Sequence, residues 1–285
     1  ASSSLNQLHK LAVNCGADDE IYAFTNLGNC VKFGAKYADL SEFKSAGIKL
    51  EKLVEGVSAG EYPVRMFVLP GGEIPEGDIL FFTKQGAVKR TPWSEYVQTK
   101  NVFPAIKLKE GDEVLTVEKF DDDEYSTMLF ISRKGLCLNA SKDEVPAQGR
   151  IAGGVKGIAL GGDDEVVYAT QHTGEGEIII VTTLGGFKRV VASTIDPIGR
   201  ACKGVMIADI KGKGEILFAN YVTIPYSLAV VSDKGVAEVN TEEIPIETRV
   251  FRGKPLKKDG IGTVTAVYPL KHRSEYPDGR MQIKF

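Results

Sequence analysis

Phe81-Phe82-Thr83-Lys84-Gln85-Gly86-Ala87-Val88-Lys89-Arg90 carries the reading of the whole chain. An apolar run meets a hydroxyl residue, two variable residues and a glycine, and a second β-rich run follows. Glycine adopts positive φ without steric cost, so the pattern predicts a tight turn between two antiparallel strands. The same arrangement stands at Ala23-Phe24-Thr25-Asn26-Leu27-Gly28, Phe130-Ile131-Ser132-Arg133-Lys134-Gly135, Ile180-Val181-Thr182-Thr183-Leu184-Gly185 and Val230-Val231-Ser232-Asp233-Lys234-Gly235. The five glycines stand 58, 49, 50 and 50 residues apart. One such motif means little, whereas five in register define a repeat. The longer first interval is explained by an inserted loop, Leu69-Pro70-Gly71-Gly72-Glu73-Ile74-Pro75-Glu76-Gly77.

A second mark follows each turn. A small residue recurs 19 positions after the glycine at Gly47, Ala105, Gly154 and Gly204, and 18 after it at Gly253. Each opens another apolar stretch, and an acidic or glycine-bearing turn leads to a further strand. About four strands per fifty residues, with no helical period, predict an all-β, propeller-like architecture. The kelch type has a similar period, but its Gly-Gly and Trp marks are missing; Trp93 is the only tryptophan. The expected organisation is a single domain over 1–285, with repeats at roughly 16–77, 78–125, 126–175, 176–225 and 226–270. Residues 1–15 and 271–285 read as elements of a partial sixth blade, and the count of five or six stays open.

Composition excludes several classes. The chain has 285 residues, 43% of them hydrophobic and 26% charged, which is globular rather than disordered. Its apolar runs are too short to span a bilayer, and residues 1–20 do not read as a signal peptide. Cysteines 15, 30, 137 and 202 form no CxxC, so reduced cytosolic thiols are expected rather than a zinc site or a disulfide framework. No phosphate loop is present: Lys211-Gly212-Lys213-Gly214 lacks the hydroxyl residue and the following helix. Gly-x-Ser-x-Gly is absent, and His9, His172 and His272 lack metal-ligand spacing, so they are expected at turns or strand ends. No catalytic residue, metal or cofactor is expected.

With 35 Lys+Arg against 38 Asp+Glu, the net charge is -3, so any polyanion site must be a segregated stripe. The cations do recur with the repeat. Lys84, Arg133, Lys134 and Lys234 sit in the turns, and Lys32, Lys89-Arg90 and Lys188-Arg189 follow them. Arg150 and Arg200 precede the second mark, with Arg249 and Arg252 in the last repeat; Lys156 follows it, and Lys203 and Lys254 lie beside it. Lys49 and Lys107 are assigned to the same repeat position as Lys156. Equivalent positions in a propeller lie at equivalent places on its rim, so these residues predict a curved basic track for duplex DNA. Binding would be through phosphates and indifferent to sequence. Solvated turns are the ordinary alternative for any one of these side chains, and a protein-binding propeller is the competing function. Lys89-Arg90 and Lys188-Arg189 are expected on the surface, where reversing their charge leaves stability nearly unchanged.

Phe82 through Thr91, then Ala105-Ile106-Lys107-Leu108-Lys109-Glu110-Gly111-Asp112-Glu113-Val114, resembles the C-terminal repeat of the A subunit of bacterial type IIA topoisomerases. So does Gly149 through Leu160. The similarity covers residues 5–268. It implies a β-pinwheel with strands exchanged between blades, duplex DNA bent around a basic rim, and a role in supercoiling by gyrase or decatenation by topoisomerase IV. It further implies, as partners, the ATP-binding B subunit with the rest of the A subunit, in the bacterial cytoplasm at the nucleoid. The gyrase box of glutamine, arginines, glycines and lysine has no match here, and Gln148-Gly149-Arg150 is a loose echo. The divergent repeats lean toward topoisomerase IV. The cleaving tyrosine and the ATPase belong elsewhere in the family, which implies that this chain is inert by itself.

Overall fold

A computed structural model describes residues 13–38, 48–210 and 214–270. The expected terminal elements at 1–15 and 271–285 lie largely outside these residues, as do Gly47, His9, His272 and Lys211–Lys213. The described chain is all-β apart from one α-turn, Leu50–Leu53, and short 3-10 turns. It divides into two compact units: one holds the described residues up to Asp122 together with Asp143–Gly157, and the other holds Asp123–Lys142 and the described residues from Ile158 onward.

The first unit contains two four-stranded antiparallel sheets. Sheet 1 runs, in spatial order, Pro63–Leu69, Glu20–Thr25, Asn29–Gly34, Val102–Pro104. Sheet 2 runs Val155–Lys156, Ala87–Pro92, Asp78–Thr83, Val114–Lys119. Side chains of both pack into one cluster in which Phe24, Phe81, Trp93 and Tyr96 meet mostly edge to face, with centroids 5.3–6.1 Å apart. That geometry suits aromatic quadrupoles and fills the core with four of its largest side chains. The sole tryptophan is therefore a core residue.

The second unit contains sheet 3 (Val166–His172, Thr127–Ser132, Leu136–Ser141, Val205–Met206), sheet 4 (Phe187–Val191, Glu177–Thr182, Ile216–Val222) and sheet 5 (Gly235–Asn240, Ser227–Ser232, Val264–Leu270). Leu129, Ile131, Ile178 and Ile180 join sheets 3 and 4, and Ile179, Val181, Leu228 and Val230 join sheets 4 and 5. The alternate residues of Ile178–Val181 thus serve two cores, which explains why that strand is apolar on both faces.

The five expected turns close as the glycine pattern requires. The turn glycines have φ between 76° and 111°. In sheets 1–4 the glycine N–H bonds the carbonyl of the hydroxyl residue at 2.9–3.1 Å. The next residue's N–H donates to that residue's side-chain oxygen at 3.0–3.2 Å. The hydroxyl therefore takes an N–H that the bulged turn leaves without a ladder partner, which is why Thr or Ser recurs there. A register slip at this same residue appears in all five sheets.

The four strands of a sheet do not come from one continuous repeat. Val102–Pro104 lies beyond the hairpin of sheet 2 yet pairs with Asn29–Gly34 of sheet 1. Val155–Lys156 and Val205–Met206 pair with sheets 2 and 3 in the same way, and a bridge joins Lys254 to Phe187. Among the described residues the second, third and fourth repeats each lend a strand to the preceding sheet, and the fifth a bridge, the exchange that defines a β-pinwheel rather than a simple propeller.

Candidate nucleic-acid interface

The register of the exchanged strands aligns the repeats. Opposite the residue that follows the turn glycine stand Pro104, Lys156 and Met206, which pair with Asn29, Ala87 and Leu136. Gly154 and Gly204 are equivalent to one another, with φ of 79° and 76°, and a Cβ on either would collide with the carbonyl oxygen of the strand it crosses. Gly253, with φ 88°, stands in the same place before the Lys254 bridge. Ala105 is not their equivalent; Val102 is. The connection after Gly86 is three residues shorter, so a fixed 19-residue spacing misplaces that mark and, with it, Lys107 relative to Lys156.

Burial separates the expected track into classes. Lys89 and Lys188 have no exposed surface, so their assignment to the DNA-contacting surface is corrected. Lys89 Nζ donates to the carbonyls of Ala105 at 2.8 Å and Arg150 at 2.5 Å. Lys188 Nζ reaches four carbonyls, those of Ile207, Thr248, Arg249 and Phe251, at 2.5–3.2 Å. These carbonyls belong to irregular segments beside the exchanged strands, where no sheet ladder satisfies them. A lysine stem can cross apolar packing and deliver several donors at one point, which suits this task. Burial lowers the Lys89 pKa to about 7, with Arg150 contributing in the same direction. It lowers that of Lys188 to about 8, Glu247 opposing and Arg249 reinforcing the shift. Lys32 and Asn139 act similarly one position further along the hairpin, donating to the carbonyls of Gln98 and Ile195.

The half-buried arginines are mostly engaged. Arg90 Nε bonds Asp78 Oδ2 at 2.5 Å, and its guanidinium carbon lies 3.7 Å from the Phe120 ring centroid. Arg189 bonds Glu177 Oε2 at 2.5 Å and the Ile244 carbonyl at 2.7 Å. Arg133 holds the Asp163 carbonyl at 2.9 Å and faces Glu165. Lys84 pairs with Glu113 at 3.1 Å, and Lys134 pairs with Asp163. Arg150 donates Nη1 to the Pro104 carbonyl at 2.5 Å. Arg200 is half-buried.

Of the residues expected in the track, Lys49, Lys107, Lys134, Lys156, Lys203, Lys234, Arg252 and Lys254 are exposed. Lys134 and Lys234 belong to hairpin turns and Lys49 precedes the α-turn, whereas the other five lie on or beside the exchanged strands. Lys254 pairs with Glu247 at 2.8 Å across an exposed surface, a contact of small energy that a phosphate can replace. Five of these eight exposed cations thus lie on the exchanged segments rather than in the hairpins. Arg249, half-buried with Nη1 on the Met206 carbonyl at 3.0 Å, is the partner of Arg150 and Arg200 in this series. The position four residues before Gly154, Gly204 and Gly253 marks it in the sequence. His172, at the end of its strand as expected, is buried beside Thr127 and Asn139, and burial lowers its pKa to about 4.

Known proteins match this chain in sequence and in fold. The family described as the DNA gyrase C-terminal domain, beta-propeller, matches residues 77–121, 126–172 and 176–223. The A subunit of DNA gyrase from Chlamydia trachomatis is 27% identical over 249 residues, covering 86% of this chain and 29% of the relative. That of Staphylococcus epidermidis is 31% identical over 256 residues, covering 88% and 28%. The chain therefore spans about three-tenths of the length of these relatives. Among solved structures, the C-terminal domain of DNA topoisomerase IV superposes with a TM-score of 0.79 at 22% identity, over 90% of this chain and 80% of that one. The DNA gyrase A C-terminal domain gives 0.65 at 19% identity, over 89% and 83%. Repeat, hairpin chemistry, strand exchange and sequence agree: the chain belongs to the DNA gyrase C-terminal domain family of β-propellers.

Proposed function

We propose that this chain is the duplex-DNA-binding and DNA-bending module from the A subunit of a bacterial type IIA topoisomerase. The observation that carries the reading is the return of exposed cations on successive exchanged segments, at Lys156, Lys203 and Arg252-Gly253-Lys254, in a chain of this family. Arg150, Arg200 and Arg249 stand four residues before the glycine in each of those segments. Near-neutral net charge with cations gathered on repeated segments favours phosphate contacts over base readout. In the intact protein the module would present DNA to the strand-passage machinery of the A subunit, with its ATP-binding partner, in the cytoplasm at the nucleoid.

Titration of the chain into a duplex at two salt concentrations tests this. Each phosphate neutralised adds roughly 0.9 to the slope of log affinity against log salt, so the dependence should be steep. Lys156→Glu with Lys203→Glu should weaken binding and flatten the slope. Affinity indifferent to salt, or no binding at low ionic strength, would point to a protein-binding propeller instead.

A further inference from the structure

We propose that Ile151 and Val250 are apolar pressing points that enter the minor groove of bound duplex DNA and impose its bend. The inference rests on the DNA-binding reading above and assigns a second, non-phosphate contact to the same segments. Ala152 N–H bonds the Gly149 carbonyl at 3.1 Å, and Phe251 N–H bonds the Thr248 carbonyl at 3.1 Å. Each closes a turn whose two central residues are an arginine and an aliphatic, Arg150-Ile151 and Arg249-Val250. In each turn the arginine folds back, Arg150 onto the Pro104 carbonyl and Arg249 onto the Met206 carbonyl. The aliphatic residue is left at the tip, with Ile151 66% and Val250 53% exposed.

A single exposed aliphatic is ordinary. These two stand at equivalent positions, three residues before Gly154 and Gly253, and their turns are held from behind. Lys89 binds the Arg150 carbonyl, and Lys188 binds the carbonyls of Thr248, Arg249 and Phe251. Glu95 accepts the Arg150 N–H at 3.0 Å. A rigid turn with an apolar tip beside a guanidinium and exposed lysines has the chemistry of a minor-groove wedge, in which partial unstacking produces a kink. Ala201 occupies the third equivalent position at φ 62° with a side chain too short to wedge.

The test uses the full chain and a duplex of about 30 bp carrying a dye at each end, a length whose bending is measurable energetically. The double variant Ile151→Ser, Val250→Ser should bind about tenfold more weakly, the loss expected when aliphatic burial is removed. Its salt slope should stay unchanged, and energy transfer at saturation should fall. Tyr125→Ser is the control: Tyr125 is 72% exposed but follows the run Asp121–Glu124, so binding and bending should hold. Melting temperatures on the same samples should match the parent. A double variant that binds and bends as the parent does would overturn the wedge while leaving the DNA-binding reading standing. A reduced salt slope would likewise overturn it, by showing that phosphate contacts had been lost instead. If the parent itself fails to bind at low salt, both readings fall.

Discussion

Lys89 and Lys188 show how one residue type serves two purposes within one repeat. A neutral amine has two N–H donors, enough for the two carbonyls around Lys89, whereas Lys188 faces four carbonyls and has Glu247 nearby. Lys188→Met keeps the stem but abandons the carbonyls, so it should cost about 2–4 kcal/mol in denaturant unfolding. Lys89→Glu should cost more, because it buries a carboxylate against carbonyl oxygens. These outcomes replace the near-neutral effect expected from a surface reading. The pH dependence has a definite sign. With its folded pKa near 7 and its unfolded value near the ordinary 10.5, Lys89 binds fewer protons when folded across that window. Its contribution therefore grows as pH rises from about 7 toward 10. The stability gap between the parent and Lys89→Met should widen over that range; a gap that narrows would refute the assignment.

At the scale of the element, two kinds of glycine do different work. Gly185 closes a hairpin at φ 76° with open space where a Cβ would stand. Gly204 has the same φ, but a Cβ there would strike the Cys137 carbonyl on the strand it crosses. Gly185→Ala should therefore cost about 1 kcal/mol, the conformational penalty alone. Gly204→Ala should cost at least about twice that, because backbone must move and the strand Val205–Met206 loses its seat. Thermal melts of the two variants, side by side, check the difference. Equal losses would mean that the exchanged strand tolerates displacement.

For the whole molecule, strand exchange makes cooperation discontinuous in sequence. The unit built around sheets 1 and 2 needs Asp143–Gly157, which supplies both the fourth strand of sheet 2 and the Arg150 carbonyl for Lys89. A fragment ending at 122 should lose its cooperative melt, whereas one ending at 157 should keep it despite carrying 123–142 as an unaccommodated hairpin. Circular dichroism melts of the two fragments decide this, and a cooperative transition in the shorter one would contradict it. Among the described residues no helix is long and apolar enough to cross a membrane.

The hairpins are legible in the sequence because their chemistry is local. Thr83 and Gly86 meet within four residues, so hydroxyl, glycine and spacing encode the turn directly, and five copies declare the repeat. The α-turn at Leu50–Leu53 is not legible, being only four residues long. Placement of the cations is only half legible. Alternation along a strand says that Lys89 and Arg90 point to opposite sides, but not that a segment some sixty residues later lays its carbonyls over one of them. Val102 escapes notice as the equivalent of Gly154 for the same reason, since the shortened connection is visible only through pairing with Val31. Local backbone geometry is written in neighbouring residues. Whether a lysine meets water or four carbonyls depends on which distant strand crosses it, and only the tertiary structure decided that.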